Sequence, residues 1–176
     1  MVRIGIVGAS GYTSSELIRL LVSHPGDIKL EMVTSTTYEN EQVAQVIPSL
    51  KGLIGLKFEK FDIDELKKRV DFVFLAVPHS IAMSFAPDIL EQSIRVIDFS
   101  ADYRIKSAKV YEDWYHVEHT SPQLIDTAVY GMPEIYREKI RSAKLVANPG
   151  CYPTCILLGI LPLLQSPLKK DIEGIY

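Results

Sequence analysis

The segment at residues 148–154, Asn-Pro-Gly-Cys-Tyr-Pro-Thr, contains the residue best suited to covalent chemistry, Cys151. Pro149 and Gly150 predict a sharp turn after a buried strand, which places Cys151 at the start of a helix. There the helix dipole and the free amides of the first turn stabilise a thiolate. The same amides could receive the oxyanion formed when that thiolate attacks an acyl carbon. The segment predicts a nucleophile, and the alternative is a packed, unreactive thiol.

The other cysteine, Cys155, stands four residues further along in an apolar run and is predicted to be a small buried core residue. With 2 cysteines in the sequence there is no disulfide framework, and both are expected to be free thiols. His116 and His119 lie well upstream, a spacing that matches no structural zinc site. The sequence therefore predicts no metal.

A glycine turn near the amino terminus predicts a second site. Gly8 and Gly11 directly follow an apolar segment and precede a helical pattern, so their amides would face a pyrophosphate. Ser14 stands where the dinucleotide fingerprint has its third glycine, and the alternative is a tight turn without a ligand. The predicted cofactor-binding residues are Gly8, Ser10, Gly11, Tyr12, Thr13, Ser35, Pro78 and His79.

The end of the second predicted strand bears on the choice of cofactor. No Asp or Glu closes that strand to accept from a ribose 2′-hydroxyl. Instead, four hydroxyl side chains at residues 34–37 could hold a 2′-phosphate, which favours NADP over NAD. The nearest arginine, Arg19, lies on the preceding predicted helix.

The elements that must position these residues alternate along the chain. Apolar strands are predicted at residues 3–7, 28–34, 72–77, 96–99 and 145–147, with helices between them. Asp62 and Glu65 predict a capping box, and Ser80 is predicted to cap the next helix. Residues 101–131 are predicted to form long, partly helical loops over one end of the sheet.

This alternation predicts an α/β fold with a Rossmann-like, doubly wound parallel sheet. We expect residues 1–147 to form an NADP-binding domain and residues 148–176 to begin a second, α+β domain, which the family resemblance given below implies to be the domain for catalysis and dimerisation. A final helix reaching about Gln165 is apolar on nearly every face, and residues 172–176 resemble a strand that stops without a turn. Both features predict a truncated chain that self-associates as a homo-oligomer, dimer or tetramer.

Composition excludes several classes of partner. The 176 residues have a formal net charge of -3 and no basic run, which argues against nucleic acid and anionic lipid. The longest apolar stretch, at residues 155–164, is shorter than the roughly 20 residues that span a bilayer. The first apolar run is too short for a signal peptide. We expect a cytoplasmic protein that acts on a small molecule.

Five motifs in order resemble the N-acetyl-gamma-glutamyl-phosphate reductases. They are GASGYT at residues 8–13, AVPH at 76–79, DFSADYR at 98–104, VYGMPE at 129–134 and NPGCYPT at 148–154. The resemblance runs along the whole chain but covers only the front part of the family's length. It implies NADPH-dependent reduction of N-acetyl-L-glutamyl 5-phosphate to the 5-semialdehyde in arginine biosynthesis, with phosphate release through a thioester on Cys151.

The resemblance also implies roles beyond the cysteine. Arg104 and Asn148 are expected to bind the substrate, although Arg104 is equally suited to an ion pair with Asp102 or Glu112. The general-base histidine of the family falls beyond this segment, and none of the four histidines here occupies its motif. The family's basic residue near the end of the second strand is replaced here by Thr36 or Thr37. A weaker candidate is a substrate-facing patch of Tyr115, Glu118 and His119.

Three other functions remain open. An aminoadipyl-phosphate reductase of lysine biosynthesis would share the chemistry and nearly all the motifs. An aspartate-semialdehyde dehydrogenase would share the fold, but the residues around Cys151 resemble the acetylglutamyl enzyme more closely. From a different class, a catalytically incomplete module would bind NADP without chemistry, and normal thiol reactivity of Cys151 would favour it.

Overall fold

The computed structural model describes residues 1–171, and they form a single six-stranded sheet in which every pair of neighbours is parallel. The strand order is β2-β1-β3-β4-β6-β5. The strands are β1 (Val2–Val7), β2 (Ile28–Val33), β3 (Phe72–Leu75), β4 (Arg95–Asp98), β5 (Val129–Tyr130) and β6 (Leu145–Ala147).

Helices connect the strands and cover the sheet. They are α1 (Tyr12–Val22), α2 (Val43–Val46), α3 (Ile63–Arg69), α4 (Ala82–Glu91), α5 (Ala108–Tyr115), α6 (Pro133–Ser142) and α7 (Cys151–Gln165). Short 3-10 helices lie at Pro48–Leu50, Pro122–Leu124 and Pro167–Asp171. The final helix predicted to reach about Gln165 is confirmed, whereas the strand predicted at 172–176 lies outside the described residues.

The central strands are buried on both faces, as is usual in a parallel sheet that helices cover on both sides. Ile6 packs in one core with Ile18 of α1, and the next residue, Val7, packs in the other core with Leu66 of α3 and Ala86 of α4. Consecutive side chains of a strand point to opposite faces, so the two cores lie on opposite sides of the sheet. The predicted doubly wound α/β fold is confirmed.

The direction of strand addition reverses beside β1. The chain passes from β1 to β2 on one side and then crosses to β3 on the other side of β1. In open parallel sheets, ligands bind outside the carboxyl ends of the strands at such a switch point. The turns that follow β1, β3, β4 and β6 all lie at this edge, and they include the glycine turn and the cysteine turn.

Helix α4 begins differently from the prediction. Its N-cap residue is Ile81 and its first helical residue is Ala82, so the prediction that Ser80 caps it is wrong. Ser80 has a φ of 69°, a left-handed conformation that takes it out of the N-cap position. The carboxylate of Asp102 supplies the cap from another loop, since it accepts from the amides of Met83 at 2.9 Å and Ser80 at 2.8 Å.

The other predicted caps and loops are partly corrected. Asp62 Oδ1 accepts from the amides of Asp64 and Glu65 as predicted. The Glu65 carboxylate pairs with Lys68 instead of reaching back, so the box is half formed. Within residues 101–131, predicted as partly helical loops, the helix α5 agrees with the prediction, whereas the two-residue edge strand β5 was not predicted.

Candidate active site

Two adjoining cavities open at the carboxyl edge of the sheet, and Ala76 and Val77, just after β3, line both. The cysteine cavity has a volume of about 680 Å³ and the glycine cavity about 380 Å³. The cysteine cavity is lined by Thr13, Ala76, Val77, Phe99, Arg104, Gly131, Met132, Pro133, Glu134, Asn148, Pro149, Gly150, Cys151, Thr154 and Cys155. The glycine cavity is lined by Val7, Gly8, Ser10, Gly11, Thr34, Ser35, Thr36, Phe61, Ala76, Val77, Pro78, Ile81 and Phe85.

The glycine turn leaves the start of α1 open. Gly8 has a φ of 82°, and a Cβ added there would lie 2.5 Å from the carbonyl oxygen of Ala76, so only glycine fits. Gly11 is the N-cap of α1 without a side-chain cap, and a Cβ added at Gly11 would meet nothing within 4 Å. First-turn amides without an intrahelical partner next to open space suit an anionic group.

Ser14 explains how the fingerprint tolerates the loss of its third glycine. Its side chain is buried, and its hydroxyl donates to the carbonyl oxygen of Gly8 at 2.9 Å. The hydroxymethyl group is thus accommodated inside the turn between β1 and α1. It stays out of the space above the helix start.

The end of β2 places hydroxyl groups, and no acidic side chain, along the glycine cavity. Ser35 is buried, and its Oγ accepts from the amides of Thr37 and Tyr38 and lies 3.2 Å from Ser10 Oγ. This hydroxyl therefore holds the loop together, and it is the exposed Thr36 that offers a hydroxyl at the cavity wall.

The opposite wall of the glycine cavity is apolar. The Phe61 and Phe85 rings lie with centroids 4.7 Å apart, and the side chain of Ile81 completes this wall. A slot with aromatic and aliphatic walls beside polar loop residues fits a planar, partly apolar group such as a nucleotide base.

The cysteine turn places Cys151 as the first residue of α7, exposed and in the lining of the larger cavity. Gly150 is the N-cap and provides no side-chain cap. In the described part of the chain no acceptor binds the amides of Cys151 or Tyr152, and Pro153 has no N–H. The first intrahelical bond runs from the Thr154 amide to the Gly150 carbonyl at 3.0 Å. The predicted placement at a helix start is confirmed.

The prediction that Cys155 is a buried core residue is wrong. Cys155 is exposed and lines the same cavity as Cys151, one helical turn further along α7. The described residues of α7 include none that is buried, because no other described element covers this apolar helix. An apolar run alone does not show which of its residues acquire packing partners.

Arg104 joins two turns of the site. Its Nε donates to the carbonyl oxygen of Asn148 at 2.7 Å, and its Nη2 donates to that of Phe99 at 2.7 Å. The alternative ion pair with Asp102 or Glu112 is not formed among the described residues. Its Nη1 lies 3.3 Å from the position of a Cβ added at Gly150 and makes no hydrogen bond to a described residue.

Asn148 lines the cysteine cavity together with Cys151 and Arg104. Its amide donates to the carbonyl oxygen of Asp98 at 2.8 Å, and its side-chain nitrogen donates to the carbonyl oxygen of Pro149 at 3.1 Å. Its side chain lines the cysteine cavity. Gly131 packs closely behind it, because a Cβ at Gly131 would lie 3.0 Å from the Asn148 Cα.

The carboxyl group of Asp98 is buried under this edge at the end of β4. Burial raises its pKa to about 7, although hydrogen bonds from the amide and hydroxyl of Ser100 oppose the rise. The negative charge of Asp102 adds to the increase. A neutral carboxyl group is therefore accessible here near neutral pH.

Two predicted cofactor residues lie away from the two cavities. His79 is outside the lining of both, because its Nδ1 accepts from the amide of Ala101 at 3.1 Å and its ring packs edge-on against Tyr115. Tyr12 is 99% exposed and lines a separate hollow on the other side of the glycine turn, beside Tyr38. Thr13 lines the cysteine cavity and not the glycine cavity.

The predicted substrate patch does not form. His119 is buried and its Nε2 lies 2.7 Å from the carbonyl oxygen of Asp102, whereas Glu118 is exposed. Tyr115 stacks on Tyr111. These aromatic residues pack the loop instead of facing the cavity.

One cavity residue was missed at the level of sequence. Glu134, in the first turn of α6, is the acidic side chain in the lining of the cysteine cavity. The VYGMPE motif at residues 129–134 contains it, but nothing in that motif shows that the helix start faces Cys151.

Metal-binding clusters and membrane-spanning helices are both absent from residues 1–171. No group of three or more His, Cys, Asp or Glu side chains is arranged to hold a metal ion there. No helix in that range combines the length and the apolar character needed to cross a membrane.

The fold and this edge define a class: a doubly wound α/β domain of the dinucleotide-binding type that also presents a cysteine at a helix start. The family model for the semialdehyde dehydrogenase NAD-binding domain matches residues 3–143. The chain belongs to the semialdehyde dehydrogenase NAD-binding domain family.

Individual relatives agree with the family. The chain is 48% identical over 170 residues to an N-acetyl-gamma-glutamyl-phosphate reductase of Desulfotalea psychrophila, covering 97% of this chain and 49% of that protein. It is 42% identical over 170 residues to the [LysW]-L-2-aminoadipate/[LysW]-L-glutamate phosphate reductase of Saccharolobus solfataricus, covering 97% and 48%. The chain thus spans about half the length of the curated relatives it matches.

A solved structure shows the same fold. Aspartate semialdehyde dehydrogenase with NADP from Candida albicans superposes with a TM-score of 0.68 at 14% identity, over 94% of this chain and 47% of that one. At this identity the likeness supports the fold alone.

Proposed function

We propose that this chain is the cofactor-binding and nucleophile-bearing part of an N-acetyl-gamma-glutamyl-phosphate reductase. It would reduce N-acetyl-L-glutamyl 5-phosphate to the 5-semialdehyde in arginine biosynthesis, with NADPH as the reductant. The observation that carries the proposal is the open helix start at Cys151, which faces a cavity adjoining the glycine turn. The family match and the named relatives support the same reaction.

The residues at the glycine turn fit a dinucleotide. The uncapped amides of α1 and the open space above Gly11 would take the pyrophosphate, and the slot beside Phe61 and Phe85 would take a base. Thr36, exposed at the cavity wall, is the candidate for a 2′-phosphate and hence for NADP. Pro78 lines the glycine cavity. When bound, NADPH supplies the hydride.

Cys151 would form the covalent intermediate. Its thiolate attacks the acyl carbon, the carbon–oxygen bond to phosphate breaks, and inorganic phosphate leaves with the bonding pair. The amides of Cys151 and Tyr152 are free to stabilise the oxyanion during this step. After hydride addition to the thioester carbon, the carbon–sulfur bond breaks, the aldehyde forms and the thiolate returns.

Arg104 and Asn148 are the candidates for substrate contact. Two of the guanidinium nitrogens are held by backbone carbonyls, so the third is presented at the cavity in a set orientation. A fixed cation there would pair with the phosphate or carboxylate of the substrate. Homo-oligomerisation through the exposed apolar helix α7 and a cytoplasmic location complete the proposal.

The reverse reaction tests the proposal. The longest available form of the wild-type protein and its Cys151→Ser variant are assayed for phosphate-dependent reduction of NADP by N-acetylglutamate semialdehyde, and NADPH binding is measured in parallel. We expect turnover that Cys151→Ser abolishes while NADPH binding is retained. Turnover that survives the substitution would refute the thioester. NADPH binding without turnover in the wild type would instead indicate a cofactor-binding module.

The aminoadipyl-phosphate reductase of lysine biosynthesis is a second candidate, favoured by the 42% identity to the archaeal relative. The two named substrates differ in chain length, glutamyl against aminoadipyl, and in the attached group, acetyl against LysW. Turnover with an N-acetylglutamyl substrate and none with a LysW-linked aminoadipyl substrate would select the arginine enzyme. The opposite preference would select the lysine enzyme.

A further inference from the structure

Asp102 is a completely buried charged residue that takes no part in the proposed chemistry. It lies in the loop after β4, yet its carboxylate accepts from the amides of Ser80 and Met83, which belong to the turn after β3 and the start of α4. A third bond comes from the hydroxyl of Tyr111 in α5 at 2.9 Å. Three separate elements therefore meet at one carboxylate.

The turn that Asp102 holds forms part of the cofactor cavity wall. Pro78 and Ile81 line the glycine cavity on either side of Ser80. Ser80 has a φ of 69°, in the left-handed region that serine rarely adopts, so the turn persists only where its surroundings enforce it. Ile81 as N-cap has no side-chain acceptor to offer.

Tyr111 keeps the carboxylate in place. Burial, reinforced by the hydrogen bond to Asp102, raises the pKa of Tyr111 to about 12, so its hydroxyl remains a donor at neutral pH. A second tie supports the same turn, because the amide of Ala101 donates to His79 Nδ1 at 3.1 Å.

We propose that Asp102 is a positioning residue: with Tyr111 it holds the turn at residues 78–81 in the shape that accepts the nicotinamide cofactor. This inference rests on the proposed function for its cofactor, but the hold on the turn is independent of it. Asp102 acts through Ser80 and Met83 and touches neither cavity. Loosening the turn would therefore weaken cofactor binding without changing the nucleophile.

A matched pair of tyrosines tests this. Tyr111→Phe removes the hydroxyl bound to Asp102, whereas Tyr103→Phe removes an equally buried hydroxyl that bonds Ser121 at 2.7 Å in the same loop region. Asp102→Asn is the direct variant, because an amide would turn an N–H donor towards one of the backbone donors it now accepts from. The probes are NADPH affinity, backbone hydrogen exchange at residues 80–83, the rate of Cys151 alkylation and thermal unfolding.

We expect Tyr111→Phe and Asp102→Asn to weaken NADPH binding about tenfold, the value of one well-made buried hydrogen bond. Exchange at residues 80–83 should accelerate, while Cys151 alkylation stays at the wild-type rate. Tyr103→Phe should lower thermal stability but leave NADPH affinity and this exchange unchanged. If Asp102→Asn does not fold, Tyr111→Phe decides.

Equal effects of Tyr111→Phe and Tyr103→Phe on affinity and exchange would overturn the inference, since Asp102 would then be one of several general packing residues. Failure of the wild-type chain to bind NADPH would overturn the proposed function instead. In that case hydrogen exchange at residues 80–83 decides alone. Faster exchange in the Asp102 and Tyr111 variants only would support the claim that these residues fix the turn at residues 78–81. Unchanged exchange in these variants would refute that claim.

Discussion

Helices α1, α4 and α7 begin at the same edge of the sheet, but the first turn of α4 is capped by a side chain and those of α1 and α7 are not. Gly11 and Gly150 cap α1 and α7 without any side-chain bond, so their amides face the cavities. At α4 the carboxylate of Asp102 occupies the corresponding position. First-turn amides are therefore left without a partner at the two helix starts that would bind a pyrophosphate or an oxyanion. At α4, where the helix start only supports the wall of the glycine cavity, a buried carboxylate accepts from them.

The largest expected effect is a loss of stability, and it should differ between alanine substitutions of the two glycines at the start of α1. Gly8→Ala would bring a Cβ 2.5 Å from the carbonyl oxygen of Ala76 at a φ of 82°. We expect a loss of unfolding free energy of about 3 kcal/mol or more, from steric conflict and left-handed strain together. Urea denaturation measures it.

Gly11→Ala is the control for that strain, because its Cβ would meet nothing within 4 Å. Stability should change by less than about 1 kcal/mol, whereas NADPH affinity should fall because the methyl group stands where the pyrophosphate approaches the amides. Unchanged NADPH affinity in Gly11→Ala would break the comparison, since the open start of α1 would then bind no ligand.

The buried carboxyls next to the sites give the second prediction. The Asp102 carboxylate accepts from three groups of other elements, whereas the Asp98 carboxyl group accepts, among the described residues, from Ser100 and has a pKa raised to about 7. Its unfolded value is near 4, so between these values the folded state binds one more proton than the unfolded state. The stability that Asp98 contributes is complete below about pH 4 and is lost as the pH rises through 7.

Asp98→Asn imitates the protonated carboxyl group and should remove this dependence. The wild type is expected to lose up to about 1.4 kcal/mol per pH unit relative to the variant between about pH 4 and 7. Denaturation at a series of pH values measures the difference, with the exposed Asp113→Asn as control. Parallel wild-type and Asp98→Asn profiles would show that Asp98 is ionised throughout.

The start of α7 gives a third prediction through its two thiols. Both are exposed in one cavity, but only Cys151 lies at the free amides of the first turn. Helix-start stabilisation of the thiolate should make Cys151 about tenfold more reactive towards iodoacetamide than Cys155 at neutral pH. Mass spectrometry of Cys151→Ser and Cys155→Ser compares the alkylation rates of the two thiols. Equal rates would show that the start of α7 does not stabilise a thiolate.

The structural features that could be predicted from the sequence are those that neighbouring residues determine. The buried strand before Gly8 and the Pro-Gly turn before Cys151 depend on neighbouring residues, so the sheet and the placement of both turns at helix starts were predictable. The cap of α4 comes from Asp102 in another loop, and no periodicity connects the two. Likewise the two-residue strand β5 exists only because β6 lies beside it.

Side-chain environments were harder to predict for the same reason. The exposure of Cys155 depends on which elements cover α7, and an apolar run does not contain that information. His79 follows the strand end as predicted, but its bond to the Ala101 amide turns it away from the cavity. Arg104 lines the cysteine cavity, although its two backbone acceptors depend on the meeting of the β4 and β6 turns.

The smallest expected effect concerns Ser14, which completes the open start of α1 without capping it. Ser14→Ala removes the bond to the Gly8 carbonyl and should cost about 1 kcal/mol of unfolding free energy. Because the hydroxyl lies inside the turn, NADPH affinity should remain within about twofold of the wild type. Thermal unfolding and fluorescence titration check both values. A large loss of affinity with little loss of stability would mean that the Ser14 hydroxyl contacts the cofactor. The start of α1 would then bind the cofactor through a side chain as well as through its backbone amides.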